Sequence, residues 1–181
     1  FYPDTTQGGT CNELFINGDA QDTTIHPATH PFPARLGTQS TVSIGSEPSG
    51  LFGTNYFYAV RNRVTGYDTP RTSLWTGCIE SDFVYRLSFD LRVHSSTKKQ
   101  FRAQMTVTQP DGSRSWPWLV VCTLQDINDG WVNCAGDYQF RDLDASASKI
   151  VFYFISDDDS TSDIDIDNLS FFNQEWTSEW S

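Results

Sequence analysis

Basic residues are scarce in this chain of 181 residues: Lys and Arg total 12 against 23 Asp and Glu, a formal net charge of −11. A nucleic-acid ligand is disfavoured, because there is no basic surface to displace counterions from phosphate. The same deficit argues against an anionic membrane surface. Long apolar runs are missing too. The longest, 150–155 and 116–122, fall far short of the ~20 residues that a bilayer span needs. No amphipathic helix of a dozen residues can be read, and at most a turn of helix falls at 141–148. Methionine occurs once and the chain opens on Phe1, the look of a mature chain whose targeting segment is gone.

Catalytic signatures are lacking as well. There is no Gly-x-Ser-x-Gly, no His-Glu-x-x-His and no Gly-rich phosphate loop. Glu13, Glu47 and Glu80 have no spacing that marks an acid/base couple. Of the three histidines, His26 and His30 lie in a Pro-rich stretch expected to be solvated, and none clusters with cysteine. The expectation is a protein that is not an enzyme.

What is present is aromatic: 14% Phe, Trp and Tyr in a chain that is 38% hydrophobic, enough for a real core. Alternation with period two dominates the middle. Tyr85, Leu87, Phe89, Leu91 and Val93 form one face of a strand, and Phe101, Ala103, Met105 and Val107 one face of another. Pro110-Asp111-Gly112-Ser113 then supplies a turn. Residues 150–155 read as a strand buried on both faces or one with aromatic tips exposed. Strands about ten residues apart, punctuated by Gly, Pro, Asn and Asp, predict one all-β domain, a two-sheet sandwich or jelly roll. Residues 176–181 read as a tail.

Four cysteines without a Cys-x-x-Cys spacing read as two disulfides formed in an oxidising, extracellular compartment. A hairpin centred on Asn128, with 120–122 and 131–134 as its strands, would set Cys122 opposite Cys134. Elimination then pairs Cys11 with Cys78.

Six aspartates crowd into 157–167. An EF-hand is excluded, since Ser162 and Asn168 occupy the positions that require Gly and Glu. Asp163, Asp165 and Asp167 alternate with Ile164 and Ile166. Their carboxylates therefore share one strand face, either as a solvated acidic face or bridged by a hard cation.

Asn17-Gly18-Asp19-Ala20-Gln21 near the start and Ile166-Asp167-Asn168-Leu169-Ser170 near the end are familiar together. So are Asn62-Arg63-x-x-x-Tyr67-x-x-Pro70 and Gly130-Trp131 followed by Gly136-x-Tyr138-x-Phe140. In order and spacing, over about 12–172, they resemble the jelly-roll, galactose-binding-like carbohydrate-binding modules of the xylan- and laminarin-binding group, which implies a single module with that core and a tail at each terminus. The resemblance implies a structural calcium ion tying the first strand to the last, held here by Asp167, Asp19, Gln21 and the Gly18 carbonyl. Gln21 stands where the family often has Glu, which weakens the site without moving it.

The resemblance also implies a sugar site on a concave sheet face, with Arg63 as polar clamp and Tyr67 as stacking platform. Trp75, Trp116 and Trp118 are further platform candidates, although the two last could equally be core. Trp131 matches a position of structural packing. Asn168-Leu169-Ser170 is a glycosylation sequon, but in a last strand occupancy is not expected. The function so implied is a secreted, non-catalytic module for a neutral polysaccharide, because the net charge repels an acidic one. The alternatives are a structural or adhesive extracellular module, self-assembling or attached to other modules, and a small polysaccharide-active enzyme.

Overall fold

In the computed structural model, residues 11–15, 17–23, 40–124, 130–156 and 161–175 are described. His26, His30, Asn128, Asp157 to Asp159 and the tail from Trp176 lie outside them. The strands are β1 (Thr41–Ser49), β2 (Gly53–Arg61), β3 (Arg71–Leu74), β4 (Val84–Val93) and β5 (Lys99–Thr108). There follow β6 (Arg114–Ser115), β7 (Trp118–Leu124), β8 (Val132–Gln139), β9 (Lys149–Ser156) and β10 (Ile164–Asn173). A four-residue helix, α1 (Asp142–Ala145), precedes β9.

Two antiparallel sheets form a sandwich. The first runs β1-β2-β10-β4-β8; the second runs β3-β9-β5-β6, with β7 also paired to β5. Both period-two strands do what their alternation dictates. Tyr85, Leu87, Phe89, Leu91 and Val93 of β4 point into the core, as do Phe101, Ala103, Met105 and Val107 of β5. Rings cross between the sheets: Phe89 of β4 meets Phe154 of β9 edge to face at 5.0 Å, a geometry that adds to area burial. The turn after β5 closes with the Gly112 N–H donating to the Gln109 carbonyl at 2.9 Å. Gly112 takes φ +89°, which a side chain would resist.

The chain start lies along the last strand. Leu14 donates to the Phe171 carbonyl at 3.1 Å, Asn173 to Asn12 at 2.8 Å and Leu169 to Gly18 at 2.9 Å. The approach is so close that a Cβ on Gly18 would lie 1.8 Å from the Leu169 carbonyl oxygen.

Both expected disulfides are present, Cys11–Cys78 and Cys122–Cys134. The hairpin invoked for the second is not. β7 pairs with β5 in the second sheet and β8 with β4 in the first. Cys122 and Cys134 both face the core, so their bond clips sheet to sheet. The pairing held for a different reason: both residues alternate inward, on strands that face each other across the sandwich.

The acidic alternation of β10 also takes an unexpected form. Ile164 and Ile166 are core residues, but Asp165 and Asp167 on the opposite face are only 0% and 3% exposed. Asp165 is enclosed by basic groups: Arg61 Nη1 at 2.9 Å, Arg92 Nε at 2.9 Å and His94 Nε2 at 2.7 Å. Arg92 reaches on to Glu47 at 2.8 Å and lies over the Phe57 and Trp131 rings. Trp131 donates to Glu47 at 2.7 Å, a packing role as expected. Burial alone would raise the Glu47 carboxyl, yet the bonds from Arg92 and Trp131 hold it below its ordinary value. Around Asp165 this face is a neutralised polar layer, not a solvated one, while the Asp163 side chain stays partly exposed.

Candidate functional site: an aromatic and basic cleft

The outer face of the second sheet carries an open cleft of about 500 Å³. Register builds its floor in rows across the strands. Lys149 of β9, Thr108 of β5 and Arg114 of β6 lie side by side, then Val151 beside Thr106, Tyr153 between Arg71 and Gln104, and Ile155 beside Arg102. These are the residues that alternate away from the core set of β5. Gln104 donates to the Tyr153 hydroxyl at 3.0 Å, and Thr106 bonds the same hydroxyl at 2.8 Å. The Arg71 guanidinium lies over the Tyr153 ring at 4.6 Å. The floor is therefore ordered before any ligand arrives.

Aromatic rings stand at the rim. Tyr67 and Trp116 both line the cleft and are 59% and 55% exposed. Trp118, 58% exposed, opens β7 outside the cleft lining, with the Arg102 guanidinium 4.1 Å above its ring. Large aromatic faces left to water on a polar sheet surface suit stacking against the C–H faces of sugar rings.

Two candidates lie elsewhere. Arg63 is 5% exposed and does not line the cleft. Its guanidinium donates to the carbonyls of Asp68 at 3.1 Å, Ser162 at 2.7 Å and Gly66 at 3.3 Å, and lies over the Phe101 ring. A buried cation must satisfy its donors locally, so Arg63 pins the loop that presents Tyr67 instead of reaching a ligand. Asp68 fastens the same loop by accepting from the Ser40 and Val64 amides, both at 2.8 Å. Trp75 packs against the core beside the Cys11–Cys78 bond, and a Cβ on Gly77 would meet its indole at 2.7 Å. Tight Trp75–Gly77 packing holds the ring away from the cleft.

Arg71, Arg102, Gln104, Arg114, Lys149 and Tyr153 were missed as cleft residues. The only signal in the sequence was their phase, opposite to the core set on β5 and β9.

Of the expected calcium ligands, Gly18 bonds to Leu169 of β10, Asp19 lies near Asp167, and Gln21 bonds to Asp19. Asp19, Asp22 and Asp167 all press on the Tyr58 hydroxyl, which burial and these three carboxylates push well above the ordinary phenol value. That hydroxyl donates to the Asn17 carbonyl. Burial, with Asp90 and Asp19 near, raises the Asp167 carboxyl, although it accepts the Asn168 amide at 2.8 Å. The Gly18 carbonyl is used by Leu169 but has a second lone pair. The Gln21 amide nitrogen donates to the Asp19 carbonyl at 3.1 Å, leaving its oxygen available. All four expected donors are oxygen, as a hard cation requires. Among the described residues, however, no three His, Cys, Asp or Glu side chains gather as a cage. The donor set fits a weakly held ion with only two carboxylates.

Asn168 stands at an irregularity in β10, exposed and at φ +50°, with its amide donating to Asp90 at 2.8 Å. The sequon thus lies on a bulge and not within a regular ladder.

No protein-family model and no curated protein sequence matches the chain. Solved structures do. A family 22 xylan-binding domain from Paenibacillus barcinonensis superposes with a TM-score of 0.67 at 13% identity, covering 87% of this chain and 98% of that one. The C-terminal family 22 carbohydrate-binding module of a Clostridium thermocellum protein, whose cleft residues were studied for ligand binding, gives 0.60 at 15%, covering 81% and 93%. A family 4 carbohydrate-binding module gives 0.51 at 10%, covering 87% and 98%. With this sandwich and these superpositions, the chain has the jelly-roll fold of the family 22 and family 4 carbohydrate-binding modules.

Proposed function

We propose that this chain is a secreted, non-catalytic carbohydrate-binding module that grips a polysaccharide in the cleft of the second sheet. The observation that carries the reading is the pair Tyr67 and Trp116, more than half exposed around a floor of hydrogen-bonding side chains, with Trp118 equally exposed against the cleft residue Arg102. Water-exposed aromatic rings cost solvation free energy that a stacked sugar recovers. The similar Paenibacillus domain is described as xylan-binding, which makes xylan the first polymer to try. Two disulfides fit an oxidising, extracellular setting.

Calcium belongs to the same proposal as a structural ion. Asp19 and Asp167 would supply charge, and the Gly18 carbonyl and the Gln21 side-chain oxygen neutral donors. The ion would join the two ends of the domain and relieve the carboxylate crowding at Tyr58.

Affinity electrophoresis against xylan, β-glucans, mannan and chitin tests the function. Retardation of wild type that is lost in Tyr67→Ala and Trp116→Ala supports it. Retardation that survives both substitutions keeps the function and discards the cleft. No retardation by any polysaccharide, charged ones included, moves the assignment to the structural or adhesive alternative.

A further inference from the structure

The charge of the cleft opposes the charge of the protein. The chain carries −11, yet four of the twelve residues lining the cleft are basic and, among the described residues, none is acidic. These four, Arg71, Arg102, Arg114 and Lys149, are a third of all the Lys and Arg in the chain. Outside the cleft four arginines meet carboxylates: Arg61 and Arg92 at Asp165, Arg86 at Asp137 and Arg141 at Asp144. In the cleft, Arg71, Arg114 and Lys149 have no carboxylate partner among the described residues. Hydrogen bonding to sugar hydroxyls requires no net charge, whereas Arg71, Arg114 and Lys149 present positive charge that an anion would meet.

We propose, building on the carbohydrate-binding reading above, that the ligand is an anionic polysaccharide whose sugars bear carboxylate or sulfate groups. The cations are distributed as a substituted chain requires. Lys149 and Arg114 share the row at one end, Arg71 lies beside Tyr153 about 13 Å along β9, and Arg102 lies one row further, about 7 Å on. Tyr67 and Trp116 provide platforms among them. A guanidinium holds a carboxylate or sulfate in a planar, paired geometry, while a lysine contributes a point charge. The global charge does not forbid this. Asp90, Asp165, Asp167 and Glu47 belong to the first sheet, and charges beyond roughly 8 Å are screened at physiological ionic strength. The expectation of a neutral ligand, drawn from net charge, yields to where the charges sit.

Isothermal titration of the full chain with matched polymers tests the proposal. One pair is a uronate-bearing xylan and the same polymer with its carboxyl groups reduced; the other is a sulfated glucan and its neutral parent. The expected result is roughly tenfold tighter binding of a charged member than of its neutral parent, lost in high salt. Arg114→Gln and Lys149→Gln, at exposed positions, should each weaken the charged polymer several-fold and so reduce its advantage over the neutral parent. The pair that shows the preference distinguishes carboxylate from sulfate. Equal, salt-independent binding of charged and neutral members would overturn the anionic ligand and preserve the carbohydrate-binding function. No heat or retention with any polymer would overturn both.

Discussion

Arg63 and Tyr67 stand four residues apart in one motif and have different tasks. The guanidinium of Arg63 is buried and divided among three carbonyls and an aromatic face, while the Tyr67 ring faces water. Arg63→Ala removes the donor to the Asp68 and Ser162 carbonyls, while Gly66 keeps the Ser156 amide, and should cost about 3 kcal/mol in urea melts. Binding would fall with it, because the loop loses its pin. Tyr67→Ala should change stability by less than about 0.5 kcal/mol and still abolish retardation. A Tyr67→Ala melt as damaged as that of Arg63→Ala would contradict this division. The sequence match located both residues, but whether a side chain turns inward depends on acceptors such as Ser162, 99 positions away. No local pattern contains that.

Strand β10 shows how an element combines legible and hidden information. Its alternation reads directly as core Ile164 and Ile166 with aspartates opposite. That Asp165 is enclosed follows only from its neighbours, since β2 contributes Arg61 and β4 contributes Arg92, with His94 just beyond its end. Asp165→Ala strips a buried carboxylate from three basic partners and should cost about 3–5 kcal/mol, measured by chemical denaturation. Asp167 behaves differently, because its folded carboxyl titrates above the ordinary value of 3.8. Its contribution is fully present below the unfolded pKa and is lost as pH rises through the folded one. In chelator at neutral pH, Asp167→Asn should therefore melt higher than wild type, with the difference vanishing in acid. Added calcium should raise the melting temperature of wild type only. An equal calcium response in both would remove Asp167 from the ion site.

At the scale of the whole molecule, two disulfides and a segregation of charge organise the sandwich. Cys11–Cys78 closes a separation of 67 residues and Cys122–Cys134 one of 12. Chain entropy assigns them about 4 and about 3 kcal/mol, so replacing the first pair by serine should lower the urea midpoint more than replacing the second. The sequence by itself determined the all-β class, the inward residues of β4 and β5, and the turn at Gly112, because these depend on side-chain period and glycine φ, which are local quantities. It also pointed to Tyr67, Trp116 and Trp118 as aromatic candidates. Only the tertiary structure decided that Cys122 and Cys134 join opposite sheets, that Arg63 and Trp75 turn inward, and that four cations share one cleft in an acidic protein. The reason is physical: those facts depend on which strands become neighbours, and strand order in a sandwich is set by packing between residues far apart in the chain, where a one-dimensional pattern has no reach.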